Sequence, residues 1–282
     1  MQEISIALPK FMIIDGKKIA DKIIAELKRQ PKRKQVLAAV LVGSDASSES
    51  FLRAKEACAR RIGIRFKLYR LKEKDSFGVA KSLISRLNYD KEVGGIIIQL
   101  PLPKAFNREK VIRLLSARKD IDALKGSKLI DPPTVGALKT ILKEIKFGPE
   151  GKNAVVVGKG FLVGQPIAKW LKSRVKNLSV TDRGSLNLKA LSRADLVVSG
   201  VGAPGLIKAK FVKSNSILVD FGYGIRGGKV KGDFDFLGAK SQARAITPTP
   251  GGTGPIVVAQ VFLNFFILTK RQNAGIIRAP IR

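Results

Sequence analysis

The hydrophobic pattern changes period along the chain, and the changes predict strands alternating with helices. After Asp15-Gly16, Ile19, Ile23 and Leu27 recur at helical spacing, and the helix they predict stops before Pro31. Val36 to Val42 is then an unbroken apolar run, the pattern of a parallel strand buried on both faces. Ser47 or Ser48 can cap a helix running to about Arg61, with Gly63 as its stop. Strand Arg65 to Leu71, helix Val79 to Asn88 and buried strand Gly95 to Leu100 complete a β-α-β-α-β series closed by Pro101 and Pro103.

Helix Arg108 to Ser116 follows, and then a polar, proline-marked stretch from Arg118 to Pro133 that reads as a domain boundary, bridged by a helix over Val135 to Ile145. A second alternating series begins at Asn153 with strand Ala154 to Val157, a glycine turn, helix Val163 to Ser173 and strand Leu178 to Thr181. Strands Leu196 to Ser199 and Ile217 to Asp220 continue it, and a last helix starts near Pro255. Such alternation implies parallel sheets with right-handed crossovers, so both halves are α/β.

Composition narrows the chemistry. The 282 residues are enough for about two domains, and 45% apolar with 27% charged residues is ordinary globular usage. There is no histidine, which excludes imidazole bases and histidine-ligated zinc. The single cysteine, Cys58, excludes an internal disulfide and a cysteine-cluster metal site. Residues Met1 to Ile14 lack the basic start and long apolar stretch of a signal peptide, so a cytoplasmic location is expected. The most apolar segment, Ile256 to Leu268, is interrupted by Gln260 and Asn264 and falls short of a membrane span, so no membrane partner is expected.

Charge opens a second possibility. With 53 basic against 22 acidic side chains the net charge is +31, which suits a nucleic acid bound through counterion release and suits an anionic small ligand equally. The densest cluster, Lys28, Arg29, Lys32, Arg33 and Lys34, straddles Pro31 and reads as a solvated loop. Only 6% of residues are aromatic, too few for a base-stacking platform.

Strand Ala154 to Val157 runs into Gly158, Gly160 and Gly164 ahead of a helix, the setting of a dinucleotide fingerprint. Glycines there let the backbone approach a pyrophosphate held by the helix N-terminus. The third glycine comes one place later than in the common spacing, and a plain strand-to-helix turn is the alternative. Asp182 lies 24 residues after Gly158, near the offset of an acidic residue that takes the ribose 2′-hydroxyl of NAD. Lys159, Arg183 and Ser185 stand at the same edge and suit the 2′-phosphate of NADP. Asp182 is equally readable as a turn residue before Gly184.

Phe51 and Lys55 share a helix face, and Gln99 stands at the carboxyl end of a buried strand, where open α/β sheets place ligands. A lysine becomes a base only when desolvation or nearby cations lower its pKa. Asp120 and Asp122 could accept from ligand N–H groups, or simply cap a turn.

Four segments taken together carry a resemblance: Ile98-Gln99-Leu100-Pro101-Leu102-Pro103, Lys119-Asp120-Ile121-Asp122, Gly158 to Pro166, and Thr247 to Pro255. In this order they resemble the bifunctional methylenetetrahydrofolate dehydrogenase/methenyltetrahydrofolate cyclohydrolase family, over nearly the whole chain. The resemblance implies a tetrahydrofolate-binding catalytic domain over 1–132, completed by a returning C-terminal helix over 254–282. It implies a Rossmann-like NAD(P)-binding domain over 133–253. NADP is the cofactor it implies, with NAD as the alternative; no metal is implied.

By the same resemblance Lys55 is the key catalytic group, Gln99 supports it and Asp122 binds the pterin. Phe51 stacks on the folate, and Leu100, Pro101, Gly251, Gly252 and Pro255 complete the substrate site. Gly158, Lys159, Gly160, Val163, Gly164, Asp182, Arg183, Ser185 and Thr249 are the cofactor positions. A tetrahydrofolate derivative is oxidised and then hydrolysed to 10-formyltetrahydrofolate, in one-carbon metabolism leading to purine biosynthesis, by a cytoplasmic homodimer.

The chain departs from the family pattern in places. Phe51 replaces a tyrosine, Lys159-Gly160 an arginine-serine pair, and Ala123 a glycine, and the stretch from Asp122 to Pro133 is short. Two other readings therefore stand beside the enzyme: a degenerate homologue with one or no activity, and a basic nucleic-acid-binding protein on this fold.

Overall fold

The computed structural model describes residues 11–273. In chain order the elements are β1 (Met12–Ile13), α1 (Gly16–Arg29), β2 (Val36–Val42), α2 (Ala46–Ile62), β3 (Arg65–Leu71), α3 (Phe77–Tyr89), β4 (Val93–Ile98) and α4 (Arg108–Leu114). There follow α5 (Pro133–Glu144), β5 (Asn153–Val157), α6 (Gly164–Leu171), β6 (Asn177–Thr181), α7 (Leu188–Leu191), β7 (Leu196–Ser199) and β8 (Ile217–Asp220). The last are β9 (Gly224–Arg226), β10 (Lys229–Lys231), α8 (Phe236–Lys240), β11 (Ala245–Ile246) and α9 (Thr253–Asn273). The mixed α/β class and the parallel alternation are as the pattern predicts.

Two compact units result. Ala20–Gly136, with residues 257–273, forms one; Ala137–Ile256, with residues 11–19, forms the other. The first holds a three-stranded parallel sheet in the order β3-β2-β4, so we call it the three-stranded unit. The second holds a six-stranded parallel sheet in the order β1-β11-β8-β7-β5-β6. Residues 11–19 cluster with the six-stranded unit, where β1 pairs with β11. Residues 1–10 and 274–282, on which parts of the leader and C-terminal readings fall, lie outside the described residues.

In the three-stranded unit, β2 is buried along six of its seven positions and β4 along all six, which is why both read as unbroken apolar runs. Their core includes Val40, Ile84, Ile96 and Leu115. The Gly94-Gly95 pair in β4 has a packing cause: a side chain at Gly94 would meet the Thr269 methyl at 2.6 Å, and one at Gly95 the Phe265 ring at 2.9 Å. Residues 257–273 of α9 therefore lie tight against this unit's sheet. Gln272 confirms the seat by donating to the Gly94 and Arg118 carbonyls at 3.0 and 2.8 Å.

Helix α9 is longer than the apolar segment suggested. Its 21 residues are long and apolar enough to cross a membrane, yet 67% of its most apolar window is buried within the fold. Asn264, one of the two polar interruptions, donates to the Ile121 and Asp131 carbonyls at 2.8 and 2.9 Å. The basic loop is also less solvated than its composition implies: Arg33 sits 4.8 Å over the Phe266 ring and donates to Thr269 Oγ1 at 3.1 Å.

In the six-stranded unit, the strand order reverses at β5, between β6 on one side and β7 on the other, the switch point of a doubly wound sheet. Strands β1 and β11 have two residues each, too short to leave a period in the sequence. The β9–β10 hairpin turns through Gly227-Gly228, both with positive φ of 60° and 70°, the conformation a two-residue hairpin turn requires.

Candidate active site

Helix α2 brings the lysine into the interior. Its N-cap is Asp45, whose carboxylate accepts from the Ser48 amide at 2.7 Å, in place of the serines the sequence suggested. Gly63 closes it in the left-handed conformation, φ 73°, as predicted. The buried face runs Ser48, Leu52, Lys55, Cys58 and Ala59, so Lys55 occupies a position in the apolar stripe, only 6% exposed. A cation there is anomalous unless something holds it.

Gln99 holds it. The residue lies one place beyond β4 rather than inside a strand, 7% exposed, with its amide nitrogen bonded to the Val40 carbonyl. Lys55 Nζ donates to Gln99 Oε1 at 3.1 Å, and Gln99 Nε2 donates to the Leu100 carbonyl at 2.7 Å. The second bond fixes the side-chain amide with its oxygen toward the amine. Leu100 is half-buried, Pro101 is exposed, and the peptide joining them is cis. The Phe51 ring, one turn before the lysine, has its centroid 6.0 Å from Nζ.

Burial pushes the Lys55 ammonium below the usual lysine value, opposed by the negative charge of Asp122. Burial likewise pushes Asp122 up, with Lys55 pulling it down and Asp120 adding to the rise. The two aspartates divide their work. Asp120 is a turn residue whose carboxylate accepts the Leu124 and Lys125 amides at 3.0 and 2.9 Å, whereas Asp122 is the one that faces the lysine electrostatically. Phe51, Lys55, Gln99, Leu100, Pro101 and Asp122 are thus all in the three-stranded unit.

Ala123 sits in this turn at φ 52°, a left-handed conformation that costs a residue with a β-carbon about 1–2 kcal/mol. Ala123→Gly is therefore expected to raise the thermal midpoint by about 2 °C, read by differential scanning calorimetry. An unchanged or lower midpoint would show that the turn carries no such strain.

The glycine turn is built as the fingerprint requires. Gly158, φ 116°, donates to the Thr181 carbonyl at 2.8 Å, and a side chain on it would meet Val201 at 3.0 Å. Gly164 opens α6, and a β-carbon there would fall 1.9 Å from the Gly158 carbonyl oxygen. Gly160 has nothing within 4 Å of the space a side chain would take. One glycine pair closes the turn and the other position leaves the backbone open, a cradle that fits a pyrophosphate. Val163 precedes α6 with no side-chain cap, and the Gln165 amide, in the helix's first turn, donates to the Gly160 carbonyl at 3.0 Å. Lys159 is exposed beside Gly160.

Beyond β6, Asp182 and Ser185 close a tight turn, and Thr181 Oγ1 bonds the Ser185 carbonyl. One Asp182 oxygen accepts the Arg183 amide at 2.8 Å, so its turn role is real; Arg183 and Ser185 are exposed. In the 247–255 segment, Gly251 has φ 96° and its carbonyl accepts the Gly16 amide at 3.0 Å. A β-carbon on Gly252 would lie 2.3 Å from the Pro248 carbonyl oxygen, and one on Gly16 1.6 Å from that of Gly252. Thr249, half-buried, joins Pro250 through a cis peptide, and Pro255 lies in the first turn of α9. These positions, with the glycine turn and Asp182 to Ser185, belong to the six-stranded unit.

Sequence reasoning missed Asp220 and Asp233, buried carboxylates at 3% and 0% exposure. For Asp220 the signal was present, because it ends the apolar run Ile217-Leu218-Val219; Asp233 follows Lys229-Val230-Lys231-Gly232 and has none.

The family model described as tetrahydrofolate dehydrogenase/cyclohydrolase, catalytic domain, matches residues 14–122, and that described as its NAD(P)-binding domain matches 132–273. The chain belongs to this family. The "Bifunctional protein FolD" of Staphylococcus epidermidis is 36% identical over 285 residues, covering 94% of this chain and 98% of that protein. Its counterpart from Aquifex aeolicus is 34% identical with the same coverage. Among solved structures, the Campylobacter jejuni bifunctional FolD superposes with a TM-score of 0.88 at 29% identity, covering 93% of this chain and 100% of that one. The Trypanosoma brucei FolD, described as complexed with NADP cofactor and inhibitor, gives 0.89 at 26% identity, with 96% and 100% coverage. As a tetrahydrofolate dehydrogenase/cyclohydrolase, the chain places a buried amine in its catalytic-domain match and a glycine cradle in its nucleotide-domain match.

Proposed function

We infer that this protein oxidises 5,10-methylenetetrahydrofolate to 5,10-methenyltetrahydrofolate with NADP and hydrolyses the product to 10-formyltetrahydrofolate. The observation that carries the reading is Lys55, buried and held through Gln99 inside the stretch that matches the family's catalytic domain. NADP, when bound, supplies the hydride acceptor.

For its own part, the chain manages protons and position. Lys55, with its pKa lowered, carries a neutral fraction able to take a proton from water attacking the methenyl carbon, and to return it to the departing nitrogen. Gln99 keeps the amine aimed whichever way it is charged, because its own amide is anchored on Leu100. Asp122 opposes the loss of the lysine's proton and so sets how far the value falls. Phe51 offers a ring face for stacking a pterin, without a hydroxyl to bond the lysine. The Gly158 to Gly164 turn takes the pyrophosphate, Lys159 and Arg183 the 2′-phosphate, and Asp182 with Ser185 shapes that edge.

The same reading extends to substrate contacts from Leu100, Pro101, Gly251, Gly252 and Pro255, and to Thr249 on the cofactor. It extends also to a cytoplasmic homodimer whose product feeds purine synthesis; the family likeness along the whole chain supports it. Purified protein given methylenetetrahydrofolate is expected to reduce NADP and then release 10-formyltetrahydrofolate, with NAD turned over more slowly in a parallel assay. Absence of both products with either nucleotide would refute the assignment.

A further inference from the structure

The two buried carboxylates of the six-stranded unit lie at the carboxyl ends of β7 and β8. Ser199 ends β7 and Asp220 ends β8, both at the carboxyl edge of the parallel sheet. The glycine turn after β5 and Asp182 after β6 occupy one side of the switch point and suit the adenosine half of a dinucleotide. Strands β7 and β8 then lie under the nicotinamide half.

Asp220 is a hub for the loops at that edge. Its carboxylate accepts the Gly222 amide at 2.8 Å and the Phe234 amide at 3.1 Å. Its backbone amide donates to Thr247 Oγ1, and its carbonyl accepts from Thr253 Oγ1, both at 2.7 Å, which ties down each end of the 247–253 loop. Asp233 accepts the Ser199 hydroxyl and the Ala203 amide at 2.7 Å, and the Val201 amide at 2.8 Å. Glycines wall the pair: a β-carbon at 222 would fall 2.2 Å from the Asp233 carboxyl carbon, and one at 232 would fall 2.1 Å from an Asp220 oxygen.

What the pair lacks is a cation. In a chain of net charge +31, no ion pair joins either carboxylate to a lysine or arginine among the described residues. The groups facing Asp220 are the Asp233 carboxylate, the amides of Gly222, Asp233 and Phe234, and, at its backbone, the hydroxyls of Thr247 and Thr253. Buried negative charge answered only by dipoles is unmatched. An oxidised nicotinamide ring is cationic and the reduced ring is neutral, so the two forms of the nucleotide differ by the charge this edge lacks.

We propose that Asp220 is a positioning residue for the nicotinamide half of the site, and that its carboxylate, braced by Asp233, favours the cationic oxidised ring over the reduced one. The inference rests on the nucleotide-site reading above. Burial, and then the charge of Asp233, push Asp220 up to about 7, against the lowering effect of its backbone donors. Asp220 therefore gains its negative charge as the pH rises through neutrality. That gain strengthens binding of the oxidised form and leaves the reduced form little changed.

The test is equilibrium binding of NADP+ and of NADPH to the full chain from about pH 6 to about pH 8, by calorimetry and nucleotide fluorescence. The ratio of the two dissociation constants cancels the titration of the 2′-phosphate that both carry. In the wild type, Kd for NADPH over Kd for NADP+ is expected to rise about fivefold across this range, a single-charge effect at protein dielectric. In Asp220→Asn the ratio is expected to stay flat. A flat ratio in the wild type, or an undiminished rise in Asp220→Asn, overturns the proposal, and the wild-type series decides alone if the variant does not fold. A wild type that binds neither nucleotide at any pH overturns the underlying nucleotide site instead.

Discussion

Replacing Lys55 with alanine is expected to lower the rate of methenyltetrahydrofolate hydrolysis by about 10²–10⁴-fold, the usual contribution of a positioned acid–base group. Hydride transfer should fall far less, because it depends on alignment more than on proton transfer. The asymmetry follows from the geometry. The amine lies in the buried stripe of α2 and donates to Gln99 at 3.1 Å, and the amide that holds it cannot itself take up a proton. Lys55→Arg sharpens the test, since a guanidinium stays charged at any working pH and cannot act as a base. Hydrolysis at near wild-type rate in Lys55→Arg, followed by loss of methenyl absorbance, would remove proton transfer at this position from the account. The wild-type hydrolysis rate should also climb with pH through the lowered Lys55 value, because the neutral amine is the working form.

The second large effect is expected at Gly164. A β-carbon there would stand 1.9 Å from the Gly158 carbonyl oxygen and 3.1 Å from the Lys159 amide nitrogen, both backbone atoms with no flexible end to swing aside. Gly164→Ala must therefore push the start of α6 away from the turn that cradles the pyrophosphate. We expect NADP affinity to fall about 100-fold and the six-stranded unit to lose about 1–3 kcal/mol of stability, the range for overpacking a tight site. Gly160→Ala separates packing from binding: its methyl meets no protein atom, so stability is expected to hold and any loss of affinity comes from intrusion on the cradle alone. Equal nucleotide affinity in Gly164→Ala and wild type, measured by calorimetry, would show that the turn is not the pyrophosphate site.

Much of this arrangement is legible in the chain itself, for reasons particular residues make clear. β2 read to its ends and β4 to within two residues, as Val93–Ile98 in place of Gly95 to Leu100, because strands buried on both faces carry no polar alternation to confuse the period. The glycine turn was legible because Gly158 and Gly164 pack on each other, a constraint no other residue type meets. The misses have equally physical causes. β1 and β11 contribute two residues each to the sheet, below any detectable period, and their pairing carries residues 11–19 into the second unit. Asp45 took the cap from the serines because its carboxylate reaches the Ser48 amide from one residue before the helix.

Lys55 was the hardest to see from composition alone. Among 53 basic residues no period marks one as buried, and its distinction came from motifs elsewhere in the chain. Only its place in the stripe with Leu52, Cys58 and Ala59 separates it from a surface lysine. Asp220 and Asp233 lay outside the motif segments, and apart from the Ser199 hydroxyl their carboxylates bond backbone amides, which leave no trace in residue type.

Selective labelling of the lysine side chains, with Lys55 assigned through Lys55→Arg, allows its amine to be titrated directly by NMR. We predict that Lys55 loses its proton clearly below the ordinary lysine value of 10.5, apart from the exposed lysines of the chain. A Lys55 resonance that titrates together with the exposed lysines would contradict the account.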